Sequence, residues 1–94
     1  MFDREGRLII CEPVLRRVTR LDKHGGLTVL ADRFEGKRFN QPNDVTMDSQ
    51  GRIYFSDPRY GDRSGMELLD KQGQTVEGVY RIDARWPCHA DHRT

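Results

Sequence analysis

Apolar residues in this chain come in short runs, and each run stops at Gly, Asn, Asp or Pro. Residues 7–12 (RLIICE) form a branched apolar run after Gly6. Residues 17–22 (RVTRLD) alternate, with Val18, Arg20 and Asp22 on one side and Thr19 and Leu21 on the other. Residues 27–32 (LTVLAD) follow the turn signal KHGG. Residues 44–48 (DVTMD) and 52–57 (RIYFSD) flank the turn SQG, and residues 78–83 (GVYRID) close the series. Short β-branched and aromatic runs bounded by turn residues predict strands. Only residues 64–72 (SGMELLDKQ) predict a helical turn, which DKQGQ ends. The pattern as a whole predicts an all-β chain built from hairpins.

The runs also repeat. Residues 3–13 (DREGRLIICEP) lie over residues 48–58 (DSQGRIYFSDP) without a gap. Asp3 falls on Asp48, Gly6 on Gly51, Arg7 on Arg52, Leu8 on Ile53, Glu12 on Asp57 and Pro13 on Pro58, all 45 positions apart (3 to 48). Residues 18–22 (VTRLD) then lie over residues 79–83 (VYRID), 61 positions apart (18 to 79). The second copy is longer by 16 residues (61 less 45), placed between Pro58 and Val79 in Gly-containing polar sequence that suits a surface loop. A period of about 40–50 residues with several short strands is the mark of a β-propeller blade. The alternative is a sandwich with two hairpins alike by chance.

In blade order the six runs are the second, third and fourth strands of one blade and the first three of the next. That makes about one and a half blades, where closure needs about four or more. A lone pair of blades leaves sheet faces uncovered. The expectation is therefore a piece of a longer protein, with assembly of several copies as the alternative. Residues 1–83 form the partial propeller. Residues 84–94 (ARWPCHADHRT), rich in Pro, His and Arg, break the pattern and are expected to be a disordered, aberrant tail.

Composition narrows the function classes. The chain has 94 residues, a third of them charged, and a formal net charge of +1. One small domain is the ceiling. Balanced charge gives no reason to expect nucleic acid or an anionic membrane as partner. No apolar run approaches the roughly 20 residues of a membrane span. The start, MFDREGRLII, lacks the layout of a signal peptide. Cytoplasm is the default compartment, with export of a longer parent left open. Two cysteines, Cys11 and Cys88, do not make a disulfide framework.

Chemistry concentrates in residues 40–61 (NQPNDVTMDSQGRIYFSDPRYG), where Asn40, Asn43, Asp44 and Asp57 stand at strand ends. In a propeller the first strand of each blade lines the central channel, so Asn43 and Asp44 belong at its mouth. Pro42 fixes the approach to them. An amide and a carboxylate there suit a hard divalent cation, the other ligands coming from neighbouring blades. The alternative is an Asx-type turn that starts the strand. Other features read as structural. Cys11 is expected to be a buried thiol, Tyr54 and Phe55 blade-packing residues, and His24 an exposed turn residue. Arg16, Arg17 and Arg20 are expected on a solvated face. DREG and DSQG echo calcium loops but lack the remaining acids, so they read as turns. Cys88, His89, Asp91 and His92 make a weak zinc pattern.

The segments LIICE, RRVTRLD, LADRFEGKRFNQPNDV and GRIYFSDPRYG resemble the family that joins gluconolactonases, senescence marker protein (regucalcin) and luciferin-regenerating enzymes, the bacterial gluconolactonases most of all. The likeness runs from about Phe2 to Asp83. It implies a six-bladed propeller with one divalent metal, calcium or zinc, in the channel, and hydrolysis of a small-molecule sugar lactone. It implies that Asn43 is at the metal, as ligand or as a contact to substrate and metal-bound water. Asp44 would touch substrate or orient water, and Asp57 would hold the strand-end turn with Pro58. Relatives usually read Cys-Glu-His-Gly where this chain has Cys-Glu-Pro-Val, Cys11 to Val14, which leaves the role of that loop in doubt. The family's other ligands and its general base have no counterpart here. The resemblance thus implies a fragment of a metal-dependent lactone hydrolase, inactive alone. A non-enzymatic propeller binding module and a nonfunctional truncated product are the alternatives.

Overall fold

Turns built on aspartate and glycine join antiparallel strands within each of two sheets, and the linker of residues 39–44 separates the sheets. A computed structural model describes residues 1–61, 65–83, 88–89 and 92–93. The first sheet runs β1 (Leu8–Glu12), β2 (Arg17–Leu21), β3 (Leu27–Phe34) and β4 (Lys37–Arg38), all antiparallel neighbours. The second runs β5 (Val45–Met47), β6 (Ile53–Ser56) and β7 (Val79–Ile82), again antiparallel. Two short strands from the tail join the outer edges. β8 (Cys88–His89) lies parallel to β3, and β9 (His92–Arg93) lies antiparallel to β7. The rest of the tail, including Asp91 of the zinc pattern, is outside the described residues. Among the described residues no helix is long and apolar enough to cross a membrane.

The repeat read from the sequence holds pair by pair. Leu8 faces Leu21, Ile9 faces Arg20, Ile10 faces Thr19 and Cys11 faces Val18 across β1 and β2. Their counterparts pair identically across β6 and β7: Ile53 with Ile82, Tyr54 with Arg81, Phe55 with Tyr80 and Ser56 with Val79. Antiparallel partners share a face, so the two sheets present equivalent faces in equivalent register. The bridge between Phe2 and Leu8 begins on the first sheet the strand that β5 completes on the second.

The core lies between the sheets. Ile9, Val18, Leu30 and Ala31 from the first meet Ile53, Phe55, Tyr80 and Ile82 from the second. A bulge between Val18 and Thr19 shifts the β2–β3 register and lets the adjacent Leu30 and Ala31 both be buried. Phe39, on the linker between the sheets, plugs the middle. Its ring meets Phe55 edge-on at 4.9 Å and Tyr80 at 5.0 Å. The outward faces carry Leu8, Ile10 and Leu21 on one sheet and Thr46, Tyr54 and Val79 on the other.

One turn design recurs four times. In Asp3–Gly6, Asp22–Gly25, Asp48–Gly51 and Asp70–Gly73, the aspartate Oδ1 accepts the backbone N–H groups two and four residues on, at 2.8–3.0 Å. The glycine N–H donates to the aspartate carbonyl in each. The turn reading of DREG and DSQG is therefore right, and DKHG and DKQG are two further copies. The fourth copy also corrects the helical turn expected over 64–72. Among the described residues of that segment the chain instead makes a small antiparallel bridge, Leu69 to Thr75, around Asp70–Gly73. Asp70 wins because its side chain satisfies two backbone donors that a helix would have used otherwise. The glycine sits at positive φ, +81° for Gly51, with open space where a Cβ would go. Gly51→Ala should therefore cost only backbone strain, about 1 kcal/mol, read as a lower urea midpoint with an unchanged slope. No loss would mean that the hairpin does not need the left-handed residue.

Candidate functional site

The four polar residues that mark residues 40–57 separate into two kinds. Asn40 and Asp57 are fully buried, whereas Asn43 and Asp44 are exposed. The linker from β4 to β5 lies along the end of β6, which explains the split. Asn40 N–H donates to Asp57 Oδ2 at 2.9 Å, and its Nδ2 donates to the carbonyls of Asp57 at 3.0 Å and Val76 at 2.9 Å. Gln41 N–H donates to the Pro58 carbonyl, and Asn43 N–H to the Ser56 carbonyl. Asp57 thus closes the linker against β6 and takes its bond from Asn40 across the chain, where the sequence suggested a partnership with Pro58. Burial pushes the Asp57 carboxyl up to about 6, partly offset by the Asn40 and Gln41 backbone bonds and by the charges of Arg16 and Arg93.

Pro42 is buried and sets Asn43 and Asp44 at the start of β5. Asp44 N–H donates to Ser56 Oγ at 3.3 Å, and Ser56 N–H returns a bond to the Asp44 carbonyl at 2.9 Å. Asp44 Oδ1 accepts Val45 N–H at 3.1 Å, one residue on, where an Asx-type turn would bond two residues on. Beside Asp44 a groove of about 210 Å³ opens on the outward face of the second sheet, with Thr46, Tyr54, Ser56 and Val79 in its wall. Cys11 stands close enough for the Asp44 and Asp57 charges to add to its burial. Burial first, then those charges, raise the thiol to about 11, so it is a neutral, half-buried packing group.

Two residues at this end have roles the sequence did not give. Asn40 is marked by the sequence as a strand-end polar residue, but its three bonds go to Asp57 and Val76, 17 and 36 positions away. Arg16 was expected on a solvated face together with Arg17 and Arg20, and the structure corrects this for all three. Arg16 sits at φ +61° and turns inward, its Nε donating to the carbonyls of Phe39 at 2.7 Å and Asn40 at 3.2 Å. Arg17 binds Glu12 at 2.9 Å. Arg20 borders the crevice between the sheets beside Met47, Ile53 and Ile82. A guanidinium has a long apolar stem and several donors, so alternation alone does not decide where it ends. His24 is exposed, as the turn predicts.

The donors at Asn43 and Asp44, one amide oxygen and one carboxylate, match a hard divalent cation in kind. In number they fall short of the six or so oxygens calcium takes, or the four ligands of zinc. Among the described residues no group of three or more His, Cys, Asp or Glu side chains could hold a metal ion. A cation at this end therefore needs ligands from outside these two sheets.

Comparison with known proteins points one way. The family model described as SMP-30/Gluconolactonase/LRE-like region matches residues 1–93. A gluconolactonase of Zymomonas mobilis subsp. mobilis is 30% identical over 79 residues, which is 83% of this chain and 22% of that protein. The solved structure of XC5397 from Xanthomonas campestris, a gluconolactonase described as important in glucose secondary metabolic pathways, superposes with a TM-score of 0.67 at 35% identity. The match covers 87% of this chain and 28% of that one. The chain spans less than a third of either relative.

Proposed function

The chain belongs to the SMP-30/gluconolactonase/LRE-like family, and from that premise we propose that its two sheets are consecutive blades of a six-bladed, metal-dependent sugar-lactone hydrolase. One observation supports the reading: Asn43 and Asp44 stand exposed, side by side, at the start of β5, the edge strand of the second sheet, beside an open groove. Asn43 is offered as one oxygen ligand of calcium or zinc. Asp44 is offered as a contact to the lactone, its backbone fixed by Ser56. A bound cation would supply Lewis acidity to the lactone carbonyl. The residues of this chain hold the site in shape: Asn40, Asp57 and Pro42 fix the linker, so Asn43 and Asp44 are delivered on a rigid strand start.

Two blades supply too few ligands, so the 94-residue chain should show no sugar-lactone hydrolysis above background with calcium or zinc added, as read by pH-stat titration. Robust metal-dependent turnover by the purified chain would overturn the fragment reading. In a full-length relative, alanine at the position matching Asn43 should weaken metal binding by about 10-fold or more in calorimetry and suppress hydrolysis. Unchanged metal affinity and turnover there would favour a non-enzymatic binding module for this part of the fold.

A further inference from the structure

The hairpin between β1 and β2 turns through residues 13–16, and its last residue, Arg16, holds a left-handed backbone at φ +61°. Glycine takes that conformation freely, whereas a residue with a Cβ is strained in it. Among the described residues Glu35 is the other non-glycine at positive φ, in the two-residue turn from β3 to β4, and it is exposed. Arg16 differs in sending its side chain to distant segments. Nε donates to the carbonyls of Phe39 at 2.7 Å and Asn40 at 3.2 Å, and Nη2 to the carbonyl of Gly65 at 3.5 Å, partners 23, 24 and 49 positions away. One side chain of the first sheet thus ties the linker and the long loop between β6 and β7. Strain of this kind persists where the surroundings over-determine it, and an observed outlier is a pointer to function.

We propose that Arg16 is a positioning residue: by holding the Phe39 and Asn40 carbonyls it fixes the path of the linker into β5, and with it the place of Asn43 and Asp44. The linker is held from both sides. Its N–H groups bond to the second sheet, Asn40 to Asp57 Oδ2, Gln41 to the Pro58 carbonyl and Asn43 to the Ser56 carbonyl. Its carbonyls at Phe39 and Asn40 bond to Arg16 of the first sheet. Bonds from a charged donor are the stronger kind, and the planar guanidinium holds several acceptors at fixed separations, where lysine brings one nitrogen on a flexible stem. Arg16 therefore sets how far the linker stands from the first sheet, and Asn43 lies three residues beyond the last carbonyl it holds. The consequence for catalysis rests on the lactone-hydrolase reading. The consequence for the linker does not.

Arg16→Gly is the test variant, because it removes the guanidinium and relieves the strained backbone in one step. In the 94-residue chain the readout is residue-resolved hydrogen exchange. The Asn40, Gln41 and Asn43 amides should exchange about 10-fold faster relative to the amides of β6. Arg16→Lys should fall between Arg16→Gly and wild type. Arg17→Ala, which breaks the ion pair with Glu12 beside the same turn, should leave the linker rates unchanged. Wild-type linker rates in Arg16→Gly would overturn the proposal, and so would equal acceleration in Arg17→Ala, since any damage to the hairpin would then suffice. In a full-length relative with arginine at the matching position, the same glycine substitution should weaken calcium or zinc binding by about 10-fold in calorimetry and lower kcat/KM for a sugar lactone with it. Faster linker exchange with metal affinity and turnover intact would leave Arg16 a merely structural residue and defeat the proposal. A wild-type relative without metal-dependent turnover would instead sink the hydrolase reading, while the exchange rates still decide what Arg16 does to the linker.

Discussion

Phe39→Ala should unfold most of the chain at temperatures where the wild type is folded. The ring is fully buried, belongs to neither sheet, and touches Phe55 and Tyr80 from the linker. Removing a buried Phe side chain costs about 3–5 kcal/mol, through lost burial and the cavity left behind. The two edge-on aromatic contacts go with it. A domain of this size has about 5–14 kcal/mol in total, so the loss takes a large share of its stability. At roughly 4–8 °C per kcal/mol, the melting temperature should fall by about 20 °C. Phe2→Ala is the control: that ring is 67% exposed, and its loss should stay within about 0.5 kcal/mol. Equal melting temperatures for Phe39→Ala and wild type would mean that the linker does not hold the sheets together.

The second large effect is a pH dependence with an unusual sign. Asp57 has a carboxyl raised to about 6 by burial, so the folded chain binds its proton more tightly than the unfolded chain does. That stabilisation is full below the ordinary carboxyl value of about 3.8 and is lost as pH rises through about 6. The size is on the order of 2 kcal/mol. Arg16 and Arg93 favour the charged form and limit the shift, while Cys11 and Tyr80 nearby remain neutral across this range. Protonation also gives a donor to Asp57 Oδ1, which together with Asn40 Oδ1 is buried without a hydrogen bond among the described residues.

Below pH 4 the slope reverses. Burial raises the Asp3 and Asp48 carboxyls, but bonds from the Arg7 and Arg52 side chains and from turn N–H groups together outweigh it and hold both low. Their contribution is lost as pH falls, for Asp48 through about 2. The chain should therefore be most stable near pH 4, as measured by urea unfolding across pH. Asp57→Asn keeps an acceptor for Asn40 N–H and removes the buried charge, so it should flatten the curve between pH 4 and 6 and gain on the order of 2 kcal/mol at pH 7. Asp57→Ala should instead lose about 1–3 kcal/mol, because Asn40 N–H is left buried with no acceptor. Parallel pH curves for Asp57→Asn and wild type would remove Asp57 as the cause.

Sequence by itself determined the six main strands and the alignment of the two hairpin repeats, but not β4 or the short tail strands β8 and β9. A pleated strand shows each side chain to one face or the other with a period of two, and the aspartate–glycine turns fix where each period starts. Those are local rules, and they were enough to lay Leu8 over Ile53 and Val18 over Val79 before any coordinates. Local rules also placed Asn43 and Asp44 together at the start of a strand.

Tertiary structure alone decided which polar groups are buried. Asn40 and Asn43 are both asparagines before Gln or Asp in one short linker, yet one is sealed against Asp57 and Val76 and the other faces out. Arg16 likewise turned from solvent to the linker carbonyls. Burial depends on partners distant in sequence, whose approach is fixed only once the two sheets have closed on Phe39. The energy of a hydrogen bond is settled by whether water can compete for it, and no single stretch of chain records where water has been shut out.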